Sequence, residues 1–270
     1  IAKYPAGGPP GQQGSAIYAA MVESMDEAVG RVLKKLDELK LAENTLVLFT
    51  SDNGGLATPE GPNTPATINS PLREGKGWLY EGGIRTPLLV RLPGVVKAGT
   101  TSPLPVSSID LFPTILDLCD FKHEGAVDGQ SLATVLKGDQ PTAELAERPL
   151  YWHYPHYANQ GGKPGGVIRQ GDWKLIEFYE NDRRELFNVR GDQSESRNQF
   201  EAQPKIAAEL MEKLAAWRKS VGAQMPTANP KYVPNPPAAD GIVTLHSRSA
   251  DVFGQQLRYE PLPHKNTLGF

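Results

Sequence analysis

Apolar residues recur at steps of three or four positions early in the chain, with charged residues between them. This spacing is typical of one face of an amphipathic helix and predicts a helix from about Ser15 to Leu39. The run from Thr45 to Thr50 is short, apolar and β-branched, which favours a strand buried on both faces of a parallel sheet. Helix followed by buried strand is half of a βαβ unit, so we expect an α/β fold with a mostly parallel mixed sheet flanked by helices.

A polar loop rich in Gly and Pro runs from Gly54 to Pro71. Loops of this length in compact proteins are usually functional or mobile. The apolar run from Leu88 to Leu92 predicts another strand. Ser107 and Ser108 offer an N-cap for a helix whose regular part we expect to begin near Pro113.

Beyond Asp128 the pattern changes to short alternating segments at Leu150 to His153, Gly166 to Arg169, Trp173 to Phe178 and Glu185 to Asn188. They predict a small antiparallel sheet, covered by a helix from about Lys205 to Val221. We therefore divide the chain into 1–140, a part of the α/β domain; 141–222, a small α+β subdomain; and 223–270. The last part is a Pro-rich linker followed by an accessory β segment, which the alternation of Ile242, Thr244 and His246 suggests.

Charge and composition narrow the function. The 270 residues carry a formal net charge of −3 with the charges interspersed, which leaves no footprint for nucleic acid or an anionic membrane. No apolar run approaches the roughly 18 residues of a membrane span. The single cysteine, Cys119, is expected to be a small buried hydrophobe. The chain begins without Met, so we expect a processed protein or part of a longer one, and location cannot be read from a missing signal peptide.

Asp52 and Asn53 follow the first predicted strand, at the sheet edge where ligands gather in open α/β folds. A carboxylate and an amide carbonyl are hard oxygen donors that suit Ca²⁺ or Mg²⁺ better than zinc. Calcium takes about 6 to 8 oxygens, so these two residues would need further ligands. The alternative is that Asp-Asn-Gly simply forms a turn after the strand.

Lys76 lies between Gly75 and Gly77. The glycines allow the backbone to approach a ligand and leave the ammonium free to bind an anion, whereas a solvated turn is the alternative. Arg85 is a second candidate for binding an anionic substrate. Its alternative role is a structural ion pair with Glu81 or Glu74.

A dense cluster of aromatic residues and histidines occupies Tyr151 to Tyr157. Such side chains can stack on a sugar ring while His153 and His156 hydrogen-bond its hydroxyls, which makes both histidines candidates for substrate binding. The alternative is packing at the edge of the small sheet. In that case Trp152 and Tyr154 face one side and His153 the other.

These motifs occur in one order: Ser51-Asp-Asn-Gly, then Gly75-Lys-Gly-x-x-x-Glu-Gly-Gly-x-Arg-x-Pro, then Ile109-Asp-Leu-Phe-Pro-Thr-Ile-Leu. In that order the chain resembles the type I sulfatases of the alkaline phosphatase superfamily over about Tyr18 to Val221. Further likeness lies in Asp128-Gly-Gln-Ser-Leu and in the run from Arg169 to Leu175.

The resemblance implies a sulfuric ester hydrolase with one calcium ion. Asp52 and Asn53 would supply two ligands, completed by residues outside this chain, and Lys76 would contact the sulfate and the leaving-group oxygen. The family nucleophile is a formylglycine made from Cys or Ser in a Cys/Ser-x-Pro/Ala-x-Arg motif. Cys119 is followed by Asp-Phe-Lys and does not match this motif. The resemblance therefore implies that the motif, an Asp pair and a catalytic histidine fall before Ile1.

We therefore expect a sulfatase acting on a sulfated small molecule or carbohydrate, periplasmic or secreted, and inactive without the amino-terminal part of the same enzyme. One alternative is a phosphodiesterase or phosphonate hydrolase of the same superfamily. Bound zinc or manganese in place of calcium would support this alternative. The other is a noncatalytic glycan-binding module. A nucleophile motif before Ile1 would exclude it.

Overall fold

The computed structural model describes residues 3–4, 14–60, 64–228, 230, 258–262 and 265–269, the last two ranges as backbone only. The chain divides into two compact units, Ile1–Pro226 and Thr227–Phe270. The predicted β segment at Ile242, Thr244 and His246 lies outside the described residues.

The first unit opens with helix α1, Ala16–Glu38. Its N-cap is Ser15, whose Oγ accepts a hydrogen bond from the backbone N–H of Tyr18 at 3.1 Å, so the predicted helix is confirmed. No residue of α1 is buried, although its apolar stripe is well developed. A 3-10 turn, Ala42–Asn44, connects α1 to strand β1, Val47–Thr50.

The one-turn helix α2, Glu81–Ile84, precedes strand β2, Leu88–Arg91. Strand β1 pairs antiparallel with β2. In the register, Val47 lies opposite Arg91. The α/β class is confirmed, but the expected burial of β1 between parallel neighbours is wrong for the described residues. The connection from β1 to β2 contains the long polar loop and α2, and it brings β2 alongside β1 in the antiparallel direction. Consequently β1 is only half-buried.

Helix α3, Leu111–Leu118, follows a 3-10 turn, Ser108–Asp110, that Ser107 caps. The α-helix begins before Pro113, earlier than expected, because a proline in the first turn lacks only an N–H that would have no helical partner there. The expectation that Cys119 is buried is wrong. This residue forms the C-cap of α3, beyond the last helical residue, and is exposed.

Two short helices, α4 (Ala133–Leu136) and α5 (Ala143–Glu147), lead into the small sheet. Its strands are β3 (Leu150–Tyr154), β4 (Gly165–Gln170), β5 (Trp173–Phe178) and β6 (Arg184–Asn188). Each strand pairs antiparallel with the next, which confirms the predicted meander.

The two faces of this sheet have different partners. Helix α6, Pro204–Ser220, packs on one face, where Leu210 and Leu214 meet Ile168 and Leu175. The predicted covering helix is therefore confirmed. On the other face the core consists of Leu79, Tyr80, Val167, Ile176, Phe178, Phe187 and Val189. Since Leu79 and Tyr80 belong to the segment that follows Lys76, this sheet anchors that segment.

The second unit contains an antiparallel hairpin of β7, Arg258–Leu262, and β8, Lys265–Gly269. Within the part of the chain that the structure describes, no helix has the length and apolar character needed to span a bilayer.

Candidate active site around Lys76

Asp52 and Asn53 lie directly after β1. Asp52 is exposed and Asn53 is half-buried. The hydroxyl of Ser51 donates to the backbone oxygen of Asn53 at 2.9 Å, which shapes the turn. Thus an exposed carboxylate and a half-buried amide side chain follow the strand, an arrangement compatible with both the metal-site and the turn interpretations.

Glycine contacts fix this turn against α2. The N–H of Gly54 donates to the carbonyl oxygen of Gly83 at 2.9 Å. A Cβ on Gly54 would lie 1.7 Å from the carbonyl oxygen of Gly82, and one on Gly83 would lie 2.0 Å from that of Trp78. Since these neighbours are backbone atoms, only glycine permits the approach.

The side-chain amide of Asn69 joins the same turn to the Gly75-Lys-Gly turn. Its Oδ1 accepts from the N–H of Gly55 at 3.1 Å, and its Nδ2 donates to the carbonyl oxygens of Gly55 and Glu74, each at 2.9 Å. The backbone N–H of Lys76 also donates to the carbonyl oxygen of Gly55, at 3.1 Å. The two predicted site segments are therefore hydrogen-bonded to each other.

Lys76 lies between two anchored points. On one side, a Cβ on Gly75 would lie 2.3 Å from the carbonyl oxygen of Gly55. On the other, Gly77 has φ +86° and the indole N–H of Trp78 donates to the carbonyl oxygen of Gln160 at 2.9 Å. The Lys76 side chain is exposed, and no ion-pair partner for it is found among the described residues. Its ammonium is therefore available to an external anion.

Behind the site lies a buried cluster of charges. The ammonium of Lys174 is 3.1 Å from Glu81 Oε1 and 2.8 Å from Glu195 Oε1, and all three side chains are at most 1% exposed. The N–H of Glu81 donates to Glu195 Oε2 at 2.6 Å. Burial raises the pKa of Glu195, while the Lys174 ammonium and this N–H act in the opposite direction. The cluster connects α2 to the small sheet.

Arg85 lies on the outer side of this cluster. Its guanidinium is 3.8 Å from Glu81 Oε2, and its side chain is 47% exposed. Arg169 approaches the same oxygen at 3.6 Å. The geometry matches the ion-pair interpretation of Arg85, and a role in substrate binding stays a prediction.

His153 is held by protein groups. Its Nδ1 lies 2.7 Å from the hydroxyl of Tyr179, and its Nε2 lies 2.9 Å from the carbonyl oxygen of Gln224. Trp152 and Tyr154 pack into the core on the opposite face, so the predicted alternation is confirmed. Because both ring nitrogens are engaged, the structure favours packing over substrate binding for His153.

His156 is exposed, and its ring packs edge-on against Tyr154 at 5.3 Å. The segment that follows reaches the Lys76 turn. A Cβ on Gly162 would lie 1.8 Å from the carbonyl oxygen of Gly77, and Gln160 Nε2 donates to Glu60 at 2.6 Å. The loop 155–164 therefore borders Lys76. The proposed contact of His156 with substrate is not tested by this geometry.

The Asp110 motif serves the fold. The side chain of Asp110 is fully buried and paired with the Arg148 guanidinium, and it accepts from the backbone N–H groups of Ser107 and Gln130 at 2.8 and 2.9 Å. A Cβ on Gly129 would lie 2.0 Å from the carbonyl oxygen of Ile109. The likeness in Asp128-Gly-Gln-Ser-Leu thus reflects packing around Asp110.

The donor set fits part of a calcium site. In the described residues, no group of three or more His, Cys, Asp or Glu could hold a metal. Asp52 and Asn53 would supply two of the oxygens that such a site requires, and oxygen donors of this kind suit calcium. Sequence reasoning missed Asn69, Lys174 and Glu195. Asn69 at least lies in the long polar loop that was expected to be functional or mobile.

Comparison with protein families gives two matches. The protein-family model described as N-sulphoglucosamine sulphohydrolase, C-terminal, matches residues 75–220. The protein-family model described as sulfatase matches residues 2–121. A sulfatase from Formosa agariphila is 36% identical over 75% of this chain and 39% of its own length. An N-acetylglucosamine-6-O-sulfatase from Bacteroides thetaiotaomicron is 32% identical over 70% of the chain and 32% of its own length. The chain thus spans less than half of these relatives.

Solved structures agree on the fold. One, in complex with its substrate D-glucosamine-2-N,6-O-disulfate, has a TM-score of 0.62 and 29% identity over 74% of this chain and 39% of its own. Another, a phosphonate monoester hydrolase from Silicibacter pomeroyi, has a TM-score of 0.55 and 27% identity over 72% of this chain and 38% of its own. With both family models and this site geometry, the chain belongs to the type I sulfatases, of which it represents a carboxy-terminal region with the alkaline phosphatase-like fold.

Proposed function

We propose that the full-length protein hydrolyses sulfuric esters and that this chain contributes Lys76 and half of a calcium site. The observation that carries the proposal is the junction at Gly55. Gly55 lies two residues beyond Asn53. Its carbonyl oxygen accepts hydrogen bonds from the backbone N–H of Lys76 and from the side-chain amide of Asn69. A cation and two oxygen donors, each exposed or half-buried, are thereby held on adjoining turns.

The chemistry of a sulfate ester explains why this pairing is useful. As the S–O bond to the leaving group breaks, negative charge grows on that oxygen and on the nonbridging oxygens. A preplaced ammonium at Lys76 stabilises this charge without reorganisation. Asp52 and Asn53 would hold calcium, which when bound acts as a Lewis acid on the sulfate.

The attacking oxygen has no source in this chain that matches the family motif. We propose a formylglycine in the part of the enzyme that precedes Ile1, and we expect this chain alone to be inactive. As a member of this family, the enzyme is proposed to be periplasmic or secreted.

For the substrate class we propose a sulfated carbohydrate. The names of the family model and of the Bacteroides thetaiotaomicron relative refer to sulfated glucosamines, which supports this class. The loop 155–164, with exposed His156 and Tyr157, borders the Lys76 turn and offers groups that stack on or hydrogen-bond a sugar.

The second candidate is a phosphonate monoester hydrolase, because such an enzyme shares the fold. It differs in the anion and in the metal. Lys76 fits either anion, whereas Asp52 and Asn53 offer oxygen donors only, which favours calcium over zinc.

The test uses the purified full-length protein. Its metal content is determined, and hydrolysis of an aryl sulfate and of an aryl phosphonate is measured with calcium, zinc or manganese after chelation. We expect the aryl sulfate to be hydrolysed faster than the aryl phosphonate, and we expect added calcium to restore this activity after chelation. Phosphonate hydrolysis restored by zinc or manganese would favour the second candidate, and failure to hydrolyse either ester would contradict both. Sulfate release by the isolated chain would refute the proposed need for an outside nucleophile.

A further inference from the structure

The polar loop between β1 and α2 contains a side chain that contacts both predicted site segments. Asn69 is half-buried, and all three of its hydrogen bonds go to backbone atoms of Gly55 and Glu74. Gly55 follows the Asp52-Asn53 turn after one residue, and Glu74 is two residues before Lys76. One amide group therefore bridges the two segments, beside the direct hydrogen bond from the Lys76 N–H to the carbonyl oxygen of Gly55.

The geometry at Gly55 makes this contact specific. Its carbonyl oxygen accepts from Asn69 Nδ2 at 2.9 Å and from the N–H of Lys76 at 3.1 Å, which occupies both of its lone pairs. A Cβ on Gly75 would lie 2.6 Å from Asn69 Nδ2. Glycine at 75 therefore lets the amide enter between the two turns.

We propose that Asn69 is a positioning residue for the sulfatase reaction, which sets the backbone of Lys76 at a fixed distance from the Asp52-Asn53 turn. The inference rests on the proposed function, because the position of Lys76 matters only if Lys76 binds the sulfate. Asn69 itself is assigned no contact with the substrate. Without the amide, the two turns lose their shared partner and Lys76 shifts relative to the sulfate. Misplacement by about 1 Å can lower turnover by on the order of 10²-fold.

The small sheet supplies a matched control. Asn198 also makes three hydrogen bonds to backbone atoms: its Oδ1 accepts from the N–H groups of Leu186 and Phe200, and its Nδ2 donates to the carbonyl oxygen of Arg184. None of these partners belongs to the site. Asn198→Ala should therefore reproduce the structural effect of losing such an amide without moving Lys76.

The experiment compares Asn69→Ala and Asn198→Ala in the full-length enzyme, with kcat for an aryl sulfate expressed per folded molecule and melting temperature measured in parallel. We expect both to melt at lower temperature, but only Asn69→Ala to lose kcat, by about 10- to 100-fold. If Asn69→Ala does not fold, Asn69→Asp serves instead. It keeps the size and the acceptor for Gly55 but loses both donors.

A double-mutant cycle with Lys76→Ala separates positioning from general damage. If Asn69 acts through Lys76, adding Asn69→Ala or Asn69→Asp to Lys76→Ala lowers kcat little further. Multiplicative losses, or equal kcat in Asn69→Ala and Asn198→Ala, would overturn the inference while leaving the sulfatase proposal intact. A full-length protein with its native residues that releases no sulfate would overturn both.

Discussion

The backbone N–H of Lys76 donates to the carbonyl oxygen of Gly55 at 3.1 Å, and the two residues lie on separate turns of the connection between β1 and α2. The bond joins the turn after β1 to the Gly75-Lys-Gly turn. Residues beyond Lys76 then enter the core of the small sheet, where Tyr80 is 1% exposed and its hydroxyl donates to Glu185 at 2.7 Å. Lys76 is thus held between a sheet edge and a packed core.

Removal of the Lys76 ammonium tests its role directly. Lys76→Ala in the full-length enzyme should reduce turnover of a sulfate ester by 10² to 10³-fold, as loss of a preorganised charge typically costs about 2.7 to 4 kcal/mol. Lys76→Arg should not restore it, because the planar guanidinium is bulkier than an ammonium and Gly77 packs closely on Gln160. Turnover is measured at saturating calcium, with melting temperature as the folding control.

Lys97→Ala is the matched surface control for this prediction, since Lys97 is exposed and lies outside the site. It should change stability by no more than about 0.5 kcal/mol and leave turnover unchanged. Equal turnover in Lys76→Ala and Lys97→Ala would remove Lys76 from the site.

The glycine approach at the end of β1 gives a stability prediction. Gly54→Ala places a Cβ 1.7 Å from the carbonyl oxygen of Gly82, so the backbone must shift, and we expect a loss of about 1 to 3 kcal/mol in unfolding free energy. Gly30→Ala in α1 is the control, because a Cβ there meets nothing within 4 Å and alanine favours helix by about 1 kcal/mol. Urea unfolding measures both. A Gly54→Ala variant as stable as the native protein would contradict the close approach.

Local patterns in the sequence were enough to predict the helices α1 and α6 and the four strands of the small sheet. These elements follow from spacings of two, three or four residues along the chain. Pairing is different: the antiparallel neighbour of β1 is set by how the intervening loop returns, which no local spacing records. For the same reason the expected parallel arrangement was wrong in the described residues.

The candidate site shows the same limit. Asp52, Asn53 and Lys76 could be selected because their residue types and flanking glycines suggest chemistry. Lys174 could not, since it meets Glu81 across 93 positions and a lysine in an alternating strand is ordinarily exposed. For His153 the sequence allows either substrate binding or packing at the sheet edge. Only the contacts of its ring with Tyr179 and Gln224 distinguish these two roles.

The buried charge cluster predicts unequal effects of removing its members. Lys174→Met leaves the carboxylates of Glu81 and Glu195 buried without their shared cation, and should lower the unfolding free energy by about 3 to 5 kcal/mol. Glu195→Gln should lower the unfolding free energy by less. Its amide oxygen can still accept a hydrogen bond from the backbone N–H of Glu81, and Lys174 remains paired with the Glu81 carboxylate. Denaturant unfolding of the full-length protein measures the order.

The double variant Lys174→Met with Glu195→Gln is the decisive comparison for the cluster. It removes one charge of each sign, so it should be more stable than Lys174→Met alone. A double variant that is less stable would show that lost packing, and not the unpaired carboxylates, causes the effect.

The turn that carries Glu195 should make stability depend on acid pH through Asp192. Burial alone would raise the pKa of Asp192, but hydrogen bonds from the N–H groups of Arg197 and Ser196 and from the hydroxyls of Ser196 and Ser194 lower it below its usual range. The unfolded chain therefore binds the proton more readily than the folded one. The stabilisation is complete above the ordinary Asp value of about 3.9 and is lost as pH falls through the lower folded value.

Asp192→Asn isolates this contribution. At pH 7 the variant should be less stable by about 1.5 to 3 kcal/mol, the range for hydrogen bonds to a charged group. As pH falls below the ordinary Asp value of about 3.9, the unfolded chain binds the proton before the folded one, so the stability difference between the two proteins should shrink. Urea unfolding at pH 7, 5, 4 and 3 follows it, with Asp139→Asn as an exposed control that should show no such trend. A difference that stays constant with pH would mean that the charge of Asp192 does not hold the turn, and the orientation of Glu195 toward Lys174 would then need another cause.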